Sequence, residues 1–181
     1  MYAGGAGHVG SYMRYTFWLL IFALAGTGAA QWRHFGESAA GSPPLSSLAH
    51  EMVAEHNAVR SRVGTAPLKW SEPLARVAQE WADRLMQNGQ FVHSHNPKYG
   101  ENLYEISEGT ATPGLVVKAW ADEVADFDYR SNSCRGVCGH YTQIVWNDTR
   151  EVGCAVARGG RREVWVCEYD PPGNWVGRKP Y

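Results

Sequence analysis

The sequence predicts a layered α-β-α domain with a mainly antiparallel central sheet over residues 46–181. Three observations carry that expectation. Three long segments place apolar residues at helical spacing, each opened by a polar residue and two of them closed by glycine. Two β-rich runs, 152–157 and 163–169, flank the turn-forming Gly159-Gly160. A third short run, 101–106, lies between helices. Helices interleaved with a few strands bury one face of each element against a shared sheet.

The chain of 181 residues begins with a segment of different character. Arg14 precedes an uncharged apolar run over 15–25, and small residues fill 26–30. This is the pattern of a secretory signal peptide, so residues 1–30 are read as leader and signal, cut near Ala30. The run is short for a membrane span, which needs about 20 apolar residues; a retained anchor is the alternative. Residues 31–45, with Pro43-Pro44, read as a linker.

The first helix is expected from Ser46 to about Val63, with Met52, His56, Val59 and Val63 on one face and Gly64 ending it. The second follows Ser71, carries Pro73 in its first turn, and buries Leu74, Val77, Ala78, Trp81 and Leu85 before Asn88-Gly89. Residues 90–95 read as extended, and Asn96-Pro97 turns the chain. Thr112 caps a third helix with Pro113 in first position and an inward stripe of Val116, Trp120, Glu123 and Phe127. A brief fourth helix is expected over 141–146, then the hairpin, then a final turn at 170–174.

Composition is ordinary for one globular domain, 44% hydrophobic and 19% charged. A net charge of −1 gives no bulk pull toward nucleic acid. Arg158, Arg161 and Arg162 read as a solvated hairpin tip. Four cysteines in an exported chain suggest two disulfides. A loop at 159–162 sets Cys154 opposite Cys167 across the hairpin, leaving Cys134 for Cys138. A zinc-knuckle reading is weaker, because these pairs lack the C-x2-C spacing.

Several titratable residues stand out. Glu123 interrupts an apolar stripe, and a buried carboxylate needs a cation, a hydrogen-bond donor or a metal. His93 and His95 project to one side of an extended segment and could ligate zinc; a pair of surface histidines is the plainer reading. Glu101 follows Tyr99-Gly100, and His140 opens the fourth helix. His56 lies in a core stripe and reads as structural. No zinc-protease, nucleophile-elbow or phosphate-loop motif is present in the sequence.

The segments "HNAVR", "YGENLYE", "CGHYTQIVW" and "CEYDPPGNWVGRKPY" resemble the CAP superfamily (cysteine-rich secretory proteins, antigen 5, pathogenesis-related 1), and within it the plant pathogenesis-related 1 branch. The resemblance runs from about Leu48 to the last residue. It implies an α-β-α sandwich with a cleft lined by His93, Glu101, Glu123 and His140. The two histidines would hold zinc or another divalent metal, and Glu101 and Glu123 would be the only catalytic candidates. His95 falls outside that set. Members of this branch usually carry six cysteines; the missing two correspond to Gly89 and Gly159. Where the family has C-N-Y, this chain has Cys167-Glu168-Tyr169.

The resemblance implies a secreted binding module for a sterol, a lipid or another small ligand, with a membrane surface as a further partner and a link to defence. No nucleic-acid partner is expected, and a monomer is. Two other readings stay open: a zinc-dependent hydrolase using Glu101 or Glu123 as general base, and a peptide ligand acting through its C-terminal tail.

Overall fold

The computed structural model describes residues 46–181. The leader and linker expected over 1–45 lie outside the described residues. Helix α1 spans Ser47–Ser61, strand β1 Lys69–Trp70, helix α2 Glu72–Asn88 and strand β2 Gly100–Ser107. Helix α3 covers Pro113–Ala121 and runs into a 3-10 turn at Asp122–Asp126. Two short strands, β3 (Phe127–Asp128) and β4 (Ser133–Cys134), precede helix α4, Gly139–Ile144. The hairpin β5 (Glu151–Gly159) and β6 (Arg162–Asp170) completes the regular structure.

The main sheet has the order β1-β5-β6-β2. β6 pairs antiparallel with both β5 and β2, while β1 adds a two-residue parallel contact to β5. The sheet is therefore mixed, with antiparallel pairing dominant. Side chains alternate across a strand, and β6 shows the consequence. Val164 and Val166 pack with Ala78, Ala82 and Leu85 of α2. Trp165, Cys167 and Tyr169 face the other way, into a core with Met52, Val116, Trp120 and Ile144 from α1, α3 and α4. One helix covers one face and three cover the other.

Local chemistry sets the helix ends. The Ser46 hydroxyl accepts from the Ala49 N–H and the Thr112 hydroxyl from the Leu115 N–H, satisfying N–H groups that a helix start leaves open. Ser71 occupies the corresponding position of α2 but makes no such bond. Gly89 ends α2 at φ +63°, a left-handed conformation in which a Cβ would be strained. Both expected disulfides form, Cys134–Cys138 and Cys154–Cys167, and the latter pair sits in direct register across the hairpin.

Three local expectations change. The stripe of α3 does not continue as α-helix to Phe127; the helix ends at Ala121, Glu123 lies in the 3-10 turn and Phe127 starts β3. Residues 90–95 join no strand, and His95 takes φ +56°, so period-two alternation does not relate His95 to His93. Arg162 is not a solvated tip. Its guanidinium donates to the carbonyls of Leu85 and Gln90 and pairs with Glu105 at 3.0 Å, tying the end of α2 to the sheet. Gly159, one of the two positions where the family carries a cysteine, lies against Met86 at that same end. Among the described residues, no helix is long and apolar enough to cross a membrane.

Candidate functional site

Two histidine–carboxylate pairs flank β2, the edge strand of the sheet. In the first, Glu123 Oε1 lies 2.5 Å from His140 Nδ1. Its Oε2 accepts from the backbone N–H groups of His140 (3.0 Å) and Tyr141 (3.2 Å). These are open donors in the first turn of α4, whose own cap residue, Cys138, supplies no side-chain bond. The carboxylate that interrupts an apolar stripe thus acts as a remote helix cap, which offsets the cost of its burial. The Trp120 ring stacks on His140 at a centroid distance of 6.1 Å, and its indole N–H donates to the Leu103 carbonyl.

In the second pair, His93 Nδ1 lies 2.5 Å from Glu101 Oε1. The Ser94 N–H also donates to this carboxylate, at 3.0 Å. His93 is half exposed while Glu101 is largely buried. The contact with Glu101 raises the His93 pKa above its ordinary value, despite partial burial. Burial pushes Glu101 up, but the donors on His93 and Ser94 more than offset it and hold the carboxyl below its usual range.

A carboxylate only accepts, so in the neutral form of each imidazole Nδ1 carries the proton and Nε2 keeps its lone pair. Neither Nε2 has a hydrogen-bond partner among the described residues. This is the arrangement by which a metal-ligating histidine is oriented through its other nitrogen. The donor set therefore fits two imidazole ligands backed by carboxylates. It fits poorly with a free general base, because both glutamates are already engaged. No three of the four residues bring ligand atoms within 4.8 Å of one another. Alternation along β2 turns Glu101 to the face of Glu168 and Asn102 toward α4, where it bonds the His140 carbonyl.

Asn102 joins the two sides. Its amide donates to the His140 carbonyl (3.1 Å) and to the Tyr169 hydroxyl (3.1 Å). Tyr169 contacts His56 Nε2 at 2.8 Å, and His56 Nδ1 donates to the Met52 carbonyl. His56 is thus a satisfied core residue, with burial pushing its pKa down to about 4. His56 also lies within 4.8 Å of Cys154 and Cys167, but disulfide sulfurs present no thiolate and both ring nitrogens are occupied, so this trio holds no metal. A Cβ at Gly100 would come within 2.1 Å of the Gln143 amide oxygen, so that amide, which accepts from the Gly173 N–H, would have to move.

Sequence reasoning missed Glu168 as a site residue. It stands opposite Glu101 in the β2–β6 register, is fully buried, and among the described residues its oxygens meet no donor group, only the Glu101 carboxyl. Burial, then the neighbouring Glu101 carboxylate, pushes its pKa up to about 8. The available signal was the carboxylate that follows the apolar run 164–167 of β6, at the place where the resemblance leads one to expect asparagine.

A separate groove of about 520 Å³ opens between the 132–139 loop and the C-terminal segment. Val137, Trp146, Trp175 and Val176 contribute apolar walls, and Val137, Trp175 and Val176 are exposed. The tail that forms one side is tied down. The Pro180 carbonyl accepts from the Asn147 N–H, and Asn174 bonds both Gly139 and Thr142.

The signature of the cysteine-rich secretory protein (CAP) family matches residues 53–169. The chain is 43% identical over 134 residues to pathogenesis-related protein 1 of Arabidopsis thaliana, covering 72% of this chain and 81% of that protein. It is 44% identical over 128 residues to the basic form of pathogenesis-related protein 1 of Nicotiana tabacum, covering 70% and 71% respectively. Among solved structures it resembles venom allergen-like protein 4 of Schistosoma mansoni, with TM-score 0.60, 29% identity, and coverage of 76% of this chain and 95% of that one. NaASP2, crystallised with Zn2+, shares the fold at TM-score 0.63 and 23% identity, over 78% of this chain and 88% of that one. The chain is a member of the CAP family, similar within it to the plant pathogenesis-related 1 proteins.

Proposed function

We propose that this protein is a secreted, non-catalytic binding module that takes a sterol or small lipid in the groove beside its C-terminal segment and a divalent metal between His93 and His140. The observation that carries the non-catalytic reading is the engagement of both glutamates. Glu123 caps α4 and Glu101 holds His93 and Ser94, so neither is free to take a proton from water. The exposed Val137, Trp175 and Val176 support an apolar ligand, because such a patch beside a groove marks a binding surface. Secretion rests on the leader pattern over residues 1–30 and on kinship with pathogenesis-related 1 proteins.

His93 and His140 would hold the metal through Nε2, with water completing the shell. Zinc is the first probe, since a fold relative was crystallised with it. Calorimetric titration with Zn2+ should show uptake that is lost when His93→Ala and His140→Ala are combined. A labelled sterol should bind saturably, survive chelator, and weaken about tenfold in Trp175→Ala, the scale expected for loss of a buried aromatic anchor. Unchanged zinc uptake in the double variant rejects the metal site, and absent sterol binding rejects the ligand class. Turnover on an ester or peptide panel that disappears in Glu101→Gln would return the hydrolase reading.

A further inference from the structure

Glu101 and Glu168 are direct partners in the antiparallel β2–β6 pairing. Opposed side chains of such a pair share one face of the sheet, with Cβ atoms about 5 Å apart, so the two carboxyl groups reach each other. Glu101 is largely buried and Glu168 fully so. Two carboxyl groups confined together away from water do not both ionise near neutral pH; one holds a proton. The surroundings decide which. Glu101 accepts from His93 Nδ1 at 2.5 Å and from the Ser94 N–H at 3.0 Å, and both contacts favour its charged form. Glu168 meets no donor group among the described residues. Its register neighbour on β5 is Gly153, which offers no side chain. On α2, Glu80 and Arg84, of opposite charge, line the adjoining cavity, and neither bonds Glu168. The proton therefore belongs on Glu168.

We propose that Glu168 is a positioning residue that keeps its proton at neutral pH and donates it to Glu101, holding that carboxylate in its contacts with His93 and Ser94. The result is a chain of hydrogen bonds in which Glu101 accepts from Glu168 on one side and from His93 Nδ1 on the other, with Nε2 as the open end of the imidazole. A hydrogen bond from an acid to a carboxylate is charge-assisted, and burial strengthens it. Burial, and then Glu101, push the Glu168 pKa up to about 8, as a neutral acid requires. When pH rises past that value the proton leaves, the donor becomes a second acceptor, and repulsion works against the hold on His93 and Ser94. The other pair has no such dependence built in, since Glu123 is held by backbone N–H groups that do not titrate. The bearing of this device on metal rests on the reading of His93 as a ligand; the proton on Glu168 does not.

The test uses the full chain, free of metal, with its glutamate carboxyl groups isotopically labelled. Infrared spectra at pH 7 should show the carbonyl band of one protonated carboxylic acid. The band should fade as pH rises past about 8 and be missing at pH 7 in Glu168→Gln. The Ser94 amide proton, which donates to Glu101, reads the hold by NMR. Ser94 also senses His93, so its response is taken as a difference between proteins. Wild type should show a step near pH 8 that Glu168→Gln lacks, because the glutamine amide donates to Glu101 at every pH. In Glu168→Leu, which has no donor, the Ser94 signal should already be displaced at pH 7. A Glu168 that only filled space would put no titration step on Ser94. The proposal is overturned if wild type has no protonated-carboxyl band at pH 7, if the band survives in Glu168→Gln, or if Ser94 follows pH identically in wild type and Glu168→Gln. Zinc titration of wild type, run beside these, tests the metal reading separately, since the infrared band and the Ser94 step are read without metal.

Discussion

The two histidine–glutamate pairs share a contact distance of 2.5 Å and differ in almost everything around it. Glu123 is fixed by two backbone N–H groups of α4, and His140 is stacked against Trp120 and largely covered. Glu101 has one backbone donor, from a loop, and its imidazole partner is half exposed. Behind Glu101 lies another buried carboxylate; behind Glu123 lies a helix terminus. The same residue types thus serve opposite purposes. One pair rigidifies its surroundings, and the other sits against a second buried carboxyl, Glu168.

Any pH-dependent test of this contrast must first subtract His56. Its folded pKa of about 4 lies below the ordinary 6.5, so the unfolded chain binds the extra proton first as pH falls. Stability is intact above pH 6.5 and declines as pH drops toward 4. The full loss is about 3 kcal/mol. Glu168 acts in the opposite sense, because its folded pKa of about 8 lies above the ordinary carboxyl value and stabilises the fold as pH falls. The His56 contribution is therefore read as a difference: on acidification from pH 7 to pH 4.5, urea unfolding should show His56→Gln gaining about 2 kcal/mol relative to wild type, and an equal change in both proteins would place the acid sensitivity elsewhere.

Next in size is Glu123→Ala. It strands two N–H groups at the start of α4 and frees His140, and buried unsatisfied donors cost about 1–3 kcal/mol each. A loss of about 3 kcal/mol in urea unfolding is expected. Glu101→Ala removes its contacts to His93 and Ser94, both on a partly exposed loop, so a smaller loss of about 1 kcal/mol is expected. Equal losses in the two variants would dissolve the distinction between a structural and a charged pair.

The layered fold, the Thr112 cap and both disulfides were legible because periodicity, capping chemistry and hairpin register are local or nearly so, whereas Ser71, also read as a cap, makes no side-chain bond. Cys154 and Cys167 follow from counting back from Gly159-Gly160. The demand of Glu123 for a partner was legible too, as a carboxylate in an apolar stripe. The nature of the partner was not, because the N–H groups of His140 and Tyr141 lie 17 and 18 residues away and meet it only after α4 docks. Arg162 looked like a surface residue because its acceptors, the carbonyls at the end of α2, are set by tertiary packing. Glu168 was passed over for a similar reason. Its conflict with Glu101 exists only in the β2–β6 register, across 67 residues of chain.

The smallest expected effect bears most directly on the charged pair. Glu101 raises the pKa of His93, chiefly through its hydrogen bond to Nδ1. In Glu101→Gln the bond partner loses its charge, so the His93 titration followed by the NMR signal of its ring C–H should move down. Glu123→Gln should leave that signal where it was, because its carboxylate contacts the other imidazole. The direction matters for metal binding. A higher pKa keeps His93 protonated further into the neutral range, and a protonated imidazole has no lone pair to offer. Glu101 therefore both orients the ligand and makes its metal affinity more dependent on pH. A His93 signal that Glu101→Gln does not move would mean that the pair is broken in solution, and the contrast between the two sides of β2 would then rest on Glu123 alone.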